Sequence, residues 1–365
     1  MGRRIAVVLF NLGGPDKPQS VRPFLRNLFR DPAIISAPWP VRESLAWLIS
    51  TTRTKEASAN YAKMGGGSPI VPETEKQAAA LTEALSGVLP GDEARCFLAM
   101  RYWHPFVGEA VKAVKAYKPD EIVLLPLYPQ FSTTTTASSL KAWKDAGGGE
   151  ARTICCYPEE PDFITAHARL IEEAWEKAGK PENPRVLFSA HGLPEITVER
   201  GDSYQWQVEQ TVARVVEQLP EPLKEHEVCY QSRVGPLKWI GPPTDEAIER
   251  ACEDGRDILL TPIAFVSEHI ETLVELDEEY AEVAEECGAK SYTRVPALGA
   301  QSDFIIALAK LVTRALEGPT GLKPPGGAPV CPGTFKRCAC LEAGMAPRDA
   351  GAQGDESPGG KADAA

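Results

Sequence analysis

The sequence predicts an α/β protein of two doubly wound lobes, each a four-stranded parallel sheet flanked by helices. Two observations predict it. Short apolar, β-branched runs alternate with amphipathic helical ones: 5–11, 95–102, 121–128 and 153–157, then 185–191, 227–231, 257–265 and 291–296. The centres of several of these runs, such as 5–10, 122–127 and 258–260, are apolar without polar alternation, as parallel strands buried on both faces are. They fall into two sets of four, which predicts two similar lobes, although no repeat of sequence accompanies the repeat of pattern.

Helical periodicity fills the gaps. It runs over 41–64, 72–85 and 105–117 in the first half and 162–178 at the junction. In the second half it covers 204–219, 244–254, 271–286 and 303–316. The predicted divisions are 1–158 for the first lobe, 159–318 for the second, 319–345 for a cysteine-bearing extension and 346–365 for a disordered tail. Doubly wound sheets bind ligands at the carboxyl ends of their strands. The unusual residues cluster at those ends: Asn11-Leu12-Gly13-Gly14-Pro15, Tyr128-Pro129-Gln130, Ser189-Ala190-His191-Gly192 and Phe265-Val266-Ser267-Glu268-His269.

Composition narrows the function. The chain has 365 residues, 43% of them apolar, enough for a sizeable core. A formal charge of −12 without a basic run argues against nucleic acid, since phosphate contacts need clustered Lys and Arg. The same acidity suits a cation as ligand. No apolar run approaches the roughly 18–20 residues that span a bilayer. Residues 1–10 lack a long apolar stretch and a small-residue cleavage site, so the reading is cytoplasmic. A disulfide framework is not expected there, and the nine cysteines need another explanation.

His191 ends a strand beside Gly192, where an imidazole can face a cleft and take a proton or bind a metal near neutral pH. The bland alternative is a loop histidine bonded to backbone. Glu271, Glu275, Glu278 and Glu282 are spaced to line one face of one helix. Like charges at that spacing weaken a helix by a few tenths of a kcal/mol per pair. Either they form a carboxylate path towards a site at the helix start, with His269 beside it, or they are a solvated face. Gly65-Gly66-Gly67-Ser68-Pro69 lacks a phosphate-loop ending and reads as a tight turn near a ligand. The helix from Trp39 to about Tyr61 reads as mostly core, with some of Trp39, Leu45, Trp47, Leu48 and Ile49 left as an exposed lip for a membrane or an apolar substrate.

Together these pieces resemble the ferrochelatase family. The run from Val186 to Pro194 carries Ser189-Ala190-His191-Gly192. It is followed by Gln231-Ser232-Arg233-Val234-Gly235-Pro236, by Trp239-Ile240-Gly241-Pro242, and by the run from Pro262 to Leu273 with Ser267-Glu268-His269-Ile270-Glu271. The first half adds Asn11-Leu12-Gly13-Gly14-Pro15, Gly65 to Ile70, Arg101-Tyr102 and Tyr128-Pro129-Gln130. The likeness spans about residues 4–317.

The resemblance implies two Rossmann-like lobes with a porphyrin cleft between them, and insertion of Fe²⁺ into protoporphyrin IX with release of two protons. It implies that His191 and Glu271 face each other across the macrocycle. His191 would take the pyrrole protons or ligate iron, and both readings stand. His269 and Glu275 would support the route of metal or protons. Ser68, Arg101, Tyr102 and Tyr128 would border the pocket, and Ile35 and Trp239 would pack on the ring. No organic cofactor is implied. Contact with the inner membrane is compatible with the lip, and the sequence does not give an oligomeric state.

Cys331, Cys338 and Cys340 give C-x6-C-x-C, and three thiolates at the end of a cytoplasmic chain favour a metal centre. Some ferrochelatases resemble this, with a C-terminal cysteine cluster binding [2Fe–2S], which takes four thiolates. Thr133 occupies the internal ligand position of the animal proteins, so Cys155 or Cys156 would be the fourth ligand. Neighbours on a strand face opposite sides, so only one is expected to reach, with Cys156 favoured. Zinc and unmetallated thiols are the alternatives. Cys96, Cys229, Cys252 and Cys287 read as small buried apolar residues. Rival functions are a coproporphyrin ferrochelatase, a cobalt or nickel chelatase, and a porphyrin or heme carrier without catalysis.

Overall fold

The computed structural model describes residues 2–233, 235, 237–324 and 329–348. Most of the predicted tail from 346 onward, and residues 325–328 of the predicted extension, lie outside the described residues.

The first sheet holds β1 (Arg4–Asn11), β2 (Glu93–Met100), β3 (Glu121–Pro126), β4 (Arg152–Ile154) and β9 (Gly321–Lys323), in the order β2-β1-β3-β4-β9. The second holds β5 (Pro184–His191), β6 (His226–Gln231), β7 (Asp257–Pro262) and β8 (Tyr292–Arg294), in the order β6-β5-β7-β8. Every pairing is parallel. The all-apolar strands are thus covered on both faces: Ile5 to Phe10 and Val186 to Phe188 have no exposed surface. The first sheet has five strands, not the expected four. The fifth is three residues long and comes from the C-terminal extension, too short for a periodicity to reveal.

β1 lies between β2 and β3, and β5 between β6 and β7, so each sheet reverses its winding beside its first strand. Asn11 and His191 end those two strands at corresponding places. Two caps flank the cleft side. One is α1 (Val21–Phe29) with α2 (Trp39–Lys63), whose Phe24, Leu25 and Tyr61 pack with Tyr102 and Ile270. The other is a π-helix (Glu271–Glu279) continuing into α10 (Tyr280–Glu286).

Sequence periodicity missed α1 and α5 (Thr136–Asp145). The first turns of α5 sit in a Ser/Thr stretch whose side chains compete for backbone groups, which masks a helix. The lip helix also departs from expectation. Trp39, Val41, Trp47 and Leu48 are more than half exposed, and only Ala46, Ser50 and Tyr61 are buried in α2. Cys252 and Cys287, expected as reduced core residues, are half-buried and joined by a disulfide with Cα atoms 6.0 Å apart. They lie far apart in sequence, and only packing of α9 (Thr244–Glu253) on α10 makes them neighbours.

Candidate active site

His191 is carried to the cleft by the last residue of β5. Gly192 then turns the chain where its amide donates to the Gln231 carbonyl at 2.9 Å. A Cβ there would meet that same oxygen at 2.9 Å and the Trp239 ring at 3.2 Å, so only glycine fits. Trp239 is half-buried beside this turn.

His191 Nδ1 lies 2.9 Å from Glu271 Oε2, and the imidazole keeps 37% of its surface open. The two side chains are hydrogen-bonded neighbours on one wall, not partners separated by a ring-sized gap. Topology explains the difference: β5 and the segment after β7 are adjacent, so both side chains rise from one sheet. His269 sits behind, its Nε2 3.7 Å from the same oxygen and its Nδ1 3.1 Å from the Ser267 carbonyl, to which it donates. Phe265 lies against both imidazoles.

The charges are coupled. Burial pulls the His191 imidazole down, but the charge and hydrogen bond of Glu271 and the charge of Glu275 raise it from 6.5 to about 8. Burial opposes ionisation of Glu271 as well, and His191 with His269 overcomes it, holding that carboxyl far below its usual range. Glu275 is raised from 4.5 to about 7, first by burial and then by the charge of Glu271. Its Oε2 accepts from Ser232 Oγ at 2.5 Å and Gln231 Nε2 at 2.8 Å.

The expected acidic row is redrawn by the π-helix. Its hydrogen bonds run from i to i+5, so the wider turn keeps residues four apart nearly in line. Glu275 and Glu279 line a cavity of about 420 Å³ with Ser232, Arg233 and Asp245, closed from the other side by Arg53 and Glu56 of α2. Glu278 swings off the row and pairs with Lys63. Glu282 lies beyond the π-helix, on α10.

The first lobe contributes a second polar group. Arg101 Nη2 and Tyr102 Oη reach Asp31 Oδ2 at 2.7 and 2.9 Å, and Ser138 Oγ donates to the same oxygen at 2.5 Å. Tyr128 is half-buried within electrostatic reach of Arg101 and Asp31. Ile35 is half-buried, its amide donating to the Asp31 carbonyl. Ser68 packs on the Asn11–Pro15 loop, where a Cβ on Gly14 would sit 2.5 Å from that of Ser68. Sequence reasoning missed Asp31, although an Asp preceding a Pro after a helical run is a turn signal.

Away from this cleft, Cys155, Cys156, Cys331, Cys338 and Cys340 are all buried and packed together. Cys155 Sγ is 3.3 Å from both Cys156 Sγ and Cys340 Sγ. Both neighbours reach the group because β4 ends at Ile154, so strand alternation does not apply to them. Hydrogen bonds from Cys331 and Cys340 hold the Cys338 thiol far below its ordinary range. The donor set is all sulfur, which suits zinc or an Fe–S cluster. Among the described residues no group of three or more His, Cys, Asp or Glu is spread as a ligand set for a metal ion. Thiolates on one zinc or iron at about 2.3 Å stand about 3.8 Å apart, so these sulfurs would open by about half an ångström on loading. By donor chemistry the pocket fits such a group.

A family model for ferrochelatase matches residues 4–316. A ferrochelatase of Caulobacter vibrioides (strain NA1000 / CB15N) is 60% identical over 348 residues, covering 95% of this chain and all of that protein. One from Hyphomonas neptunium is 58% identical over 344 residues, covering 94% and 96%. Among solved structures, a multi-domain protein of Deinococcus radiodurans with structural similarity to chelatases aligns with a TM-score of 0.50 at 13% identity. It covers 86% of this chain and 56% of that one, a likeness of fold alone. With the family model covering every strand of both sheets except β9, this chain belongs to the ferrochelatase family.

Proposed function

We propose that this chain inserts Fe²⁺ into protoporphyrin IX, giving protoheme and two protons. The observation that carries the detailed reading is the His191–Glu271 pair at 2.9 Å, with a cavity behind it that Glu56, Asp245, Glu275 and Glu279 help to line. A porphyrin hides its nitrogen lone pairs in the ring plane. A cleft that saddles the ring exposes them, at a strain of about 1–5 kcal/mol drawn from binding the rest of the substrate. Two protons must then leave as iron enters, which requires a base beside the ring centre. His191 fills that place as proton acceptor or iron ligand, and Glu271 holds its protonated form. His269 and Glu275 support the pair, and the cavity past Glu275 and Glu279 is the route for Fe²⁺ or departing protons. Ser68, Arg101, Tyr102 and Tyr128 border the ring, with Ile35 and Trp239 against its faces.

The five-cysteine pocket is read as the seat of a [2Fe–2S] cluster, with Cys331, Cys338, Cys340 and one of Cys155 and Cys156 as ligands. When bound, such a group supplies folding energy that pins the C-terminal extension to the body. The exposed apolar residues of α2 are read as a peripheral contact with the inner membrane from the cytoplasmic side.

Anaerobic protein mixed with protoporphyrin IX and Fe²⁺ should lose the free-porphyrin bands as heme bands rise. Metallation of coproporphyrin III in preference would move the substrate assignment. A spectrum that shifts on binding but never metallates either ring would make the chain a carrier.

A further inference from the structure

Gln207 is fully buried one turn into α8 (Tyr204–Gln218), and its amide orientation is set by what surrounds it. The backbone N–H of Phe131 donates to its Oε1 at 2.7 Å, so that end must be the carbonyl. The amine end therefore faces the sulfurs. Nε2 lies 3.1 Å from Cys331 Sγ, 3.6 Å from Cys156 Sγ and 3.2 Å from Ser203 Oγ. It thus touches one cysteine of the C-terminal extension and one of the Cys155–Cys156 pair. Gln207 comes from the second lobe, which supplies none of the sulfurs.

We infer that Gln207 is the positioning residue of the sulfur pocket, an amide donor to Cys331 and Cys156 that stabilises their thiolates and raises the reduction potential of the cluster they hold. This rests on the Fe–S reading given above. Hydrogen bonds to cluster sulfurs favour the reduced, more negative state, and buried partners of ligands also govern metal retention. A merely structural glutamine would be replaceable by an apolar residue of similar shape with no change in the electronics of the site.

The test uses the full chain, purified anaerobically as wild type, Gln207→Leu and Gln207→Glu. Iron and acid-labile sulfide are measured first, then the midpoint potential by dye-mediated titration, and the electron paramagnetic resonance spectrum of the dithionite-reduced protein. Gln207→Leu is expected to shift the midpoint to a more negative potential and alter the resonance line shape. Gln207→Glu keeps the acceptor for Phe131 but turns a carboxylate on the thiolates. It is expected to hold iron against a chelator about tenfold less well. If Gln207→Leu does not fold, the isosteric Gln207→Glu alone decides, read by its potential and iron retention. Unchanged potential, line shape and retention in the folded variants would overturn the role of Gln207 and leave the cluster standing. Wild-type protein without labile sulfide would remove the cluster reading and this inference with it.

Discussion

At the scale of residues, three groups share the proton balance of the cleft. His191 is raised to about 8 and Glu275 to about 7, while Glu271 is lowered. A base must be neutral to act, so kcat/KM of the free enzyme should rise with pH through about 8. His191→Ala should abolish turnover while porphyrin still binds, read by fluorescence quenching; loss of binding together with loss of fold would remove the role. In Glu271→Gln the partner charge is gone and burial dominates. The His191 imidazole should then titrate below 6.5, measured by NMR. Stability follows the same signs. A raised carboxyl contributes stability that is fully present below its unfolded value near 4.5 and lost as pH rises through about 7. Glu275→Gln keeps an acceptor for Ser232 and Gln231 without that cost. It should therefore stabilise the fold by about 1–3 kcal/mol at pH 8 and by nothing near pH 5, measured by chemical denaturation at both pH values.

At the scale of elements, the start of α8 ties three parts of the molecule together. Asp202 is fully buried and accepts from Ser132 Oγ, from the Thr133 amide and hydroxyl, and from the Tyr204 amide. Tyr204, the next residue but one, lies within reach of Glu271 and of the His191 backbone, and Gln207 reaches the sulfurs. One helical turn thus adjoins both the cleft and the cysteine pocket. Asp202→Ala would leave buried donors without partners, each costing about 1–3 kcal/mol. The expected loss is on the order of 3 kcal/mol in urea denaturation, and a loss below about 1 kcal/mol would show that the loop finds other acceptors. The π-helix is the other element with consequences: its wide turn brings Glu279 into line behind Glu275 and sends Glu278 to Lys63.

At the scale of the molecule, two lobes with matching strand orders place the ends of β1 and β5 towards one cleft, and α1 with α2 covers it. No helix among the described residues is long and apolar enough to cross a membrane. Trp39 and Trp47 nevertheless stand more than half exposed on α2. Replacing both with Ser should leave thermal stability within about 0.5 kcal/mol, since exposed positions contribute little. Sedimentation with anionic vesicles should weaken at least several-fold, because the apolar area that enters the interface is removed. Unchanged sedimentation would assign the exposed rings to substrate entry instead.

The sequence by itself determined the class of fold and singled out candidate residues for the cleft. Apolar strand runs alternating with amphipathic helices predict parallel strands covered on both sides, and the residues at their ends are where such sheets bind ligands. His191 stood out because it ends a strand beside a glycine, and Glu271 and Glu275 because they share an acidic row at helical spacing with His269 just before it. Tertiary structure alone decided what depends on distance across the chain. It made His191 and Glu271 touch where the family resemblance implied a ring between them, and brought Asp31 to Arg101 and Tyr102. It joined Cys252 to Cys287 and turned Cys155 and Cys156 to the same side. It also recruited Gly321–Lys323 as a fifth strand. Periodicity reports how one element meets its neighbours, while these contacts pair residues from elements that adjoin only after the sheets have wound, and local pattern carries no record of that.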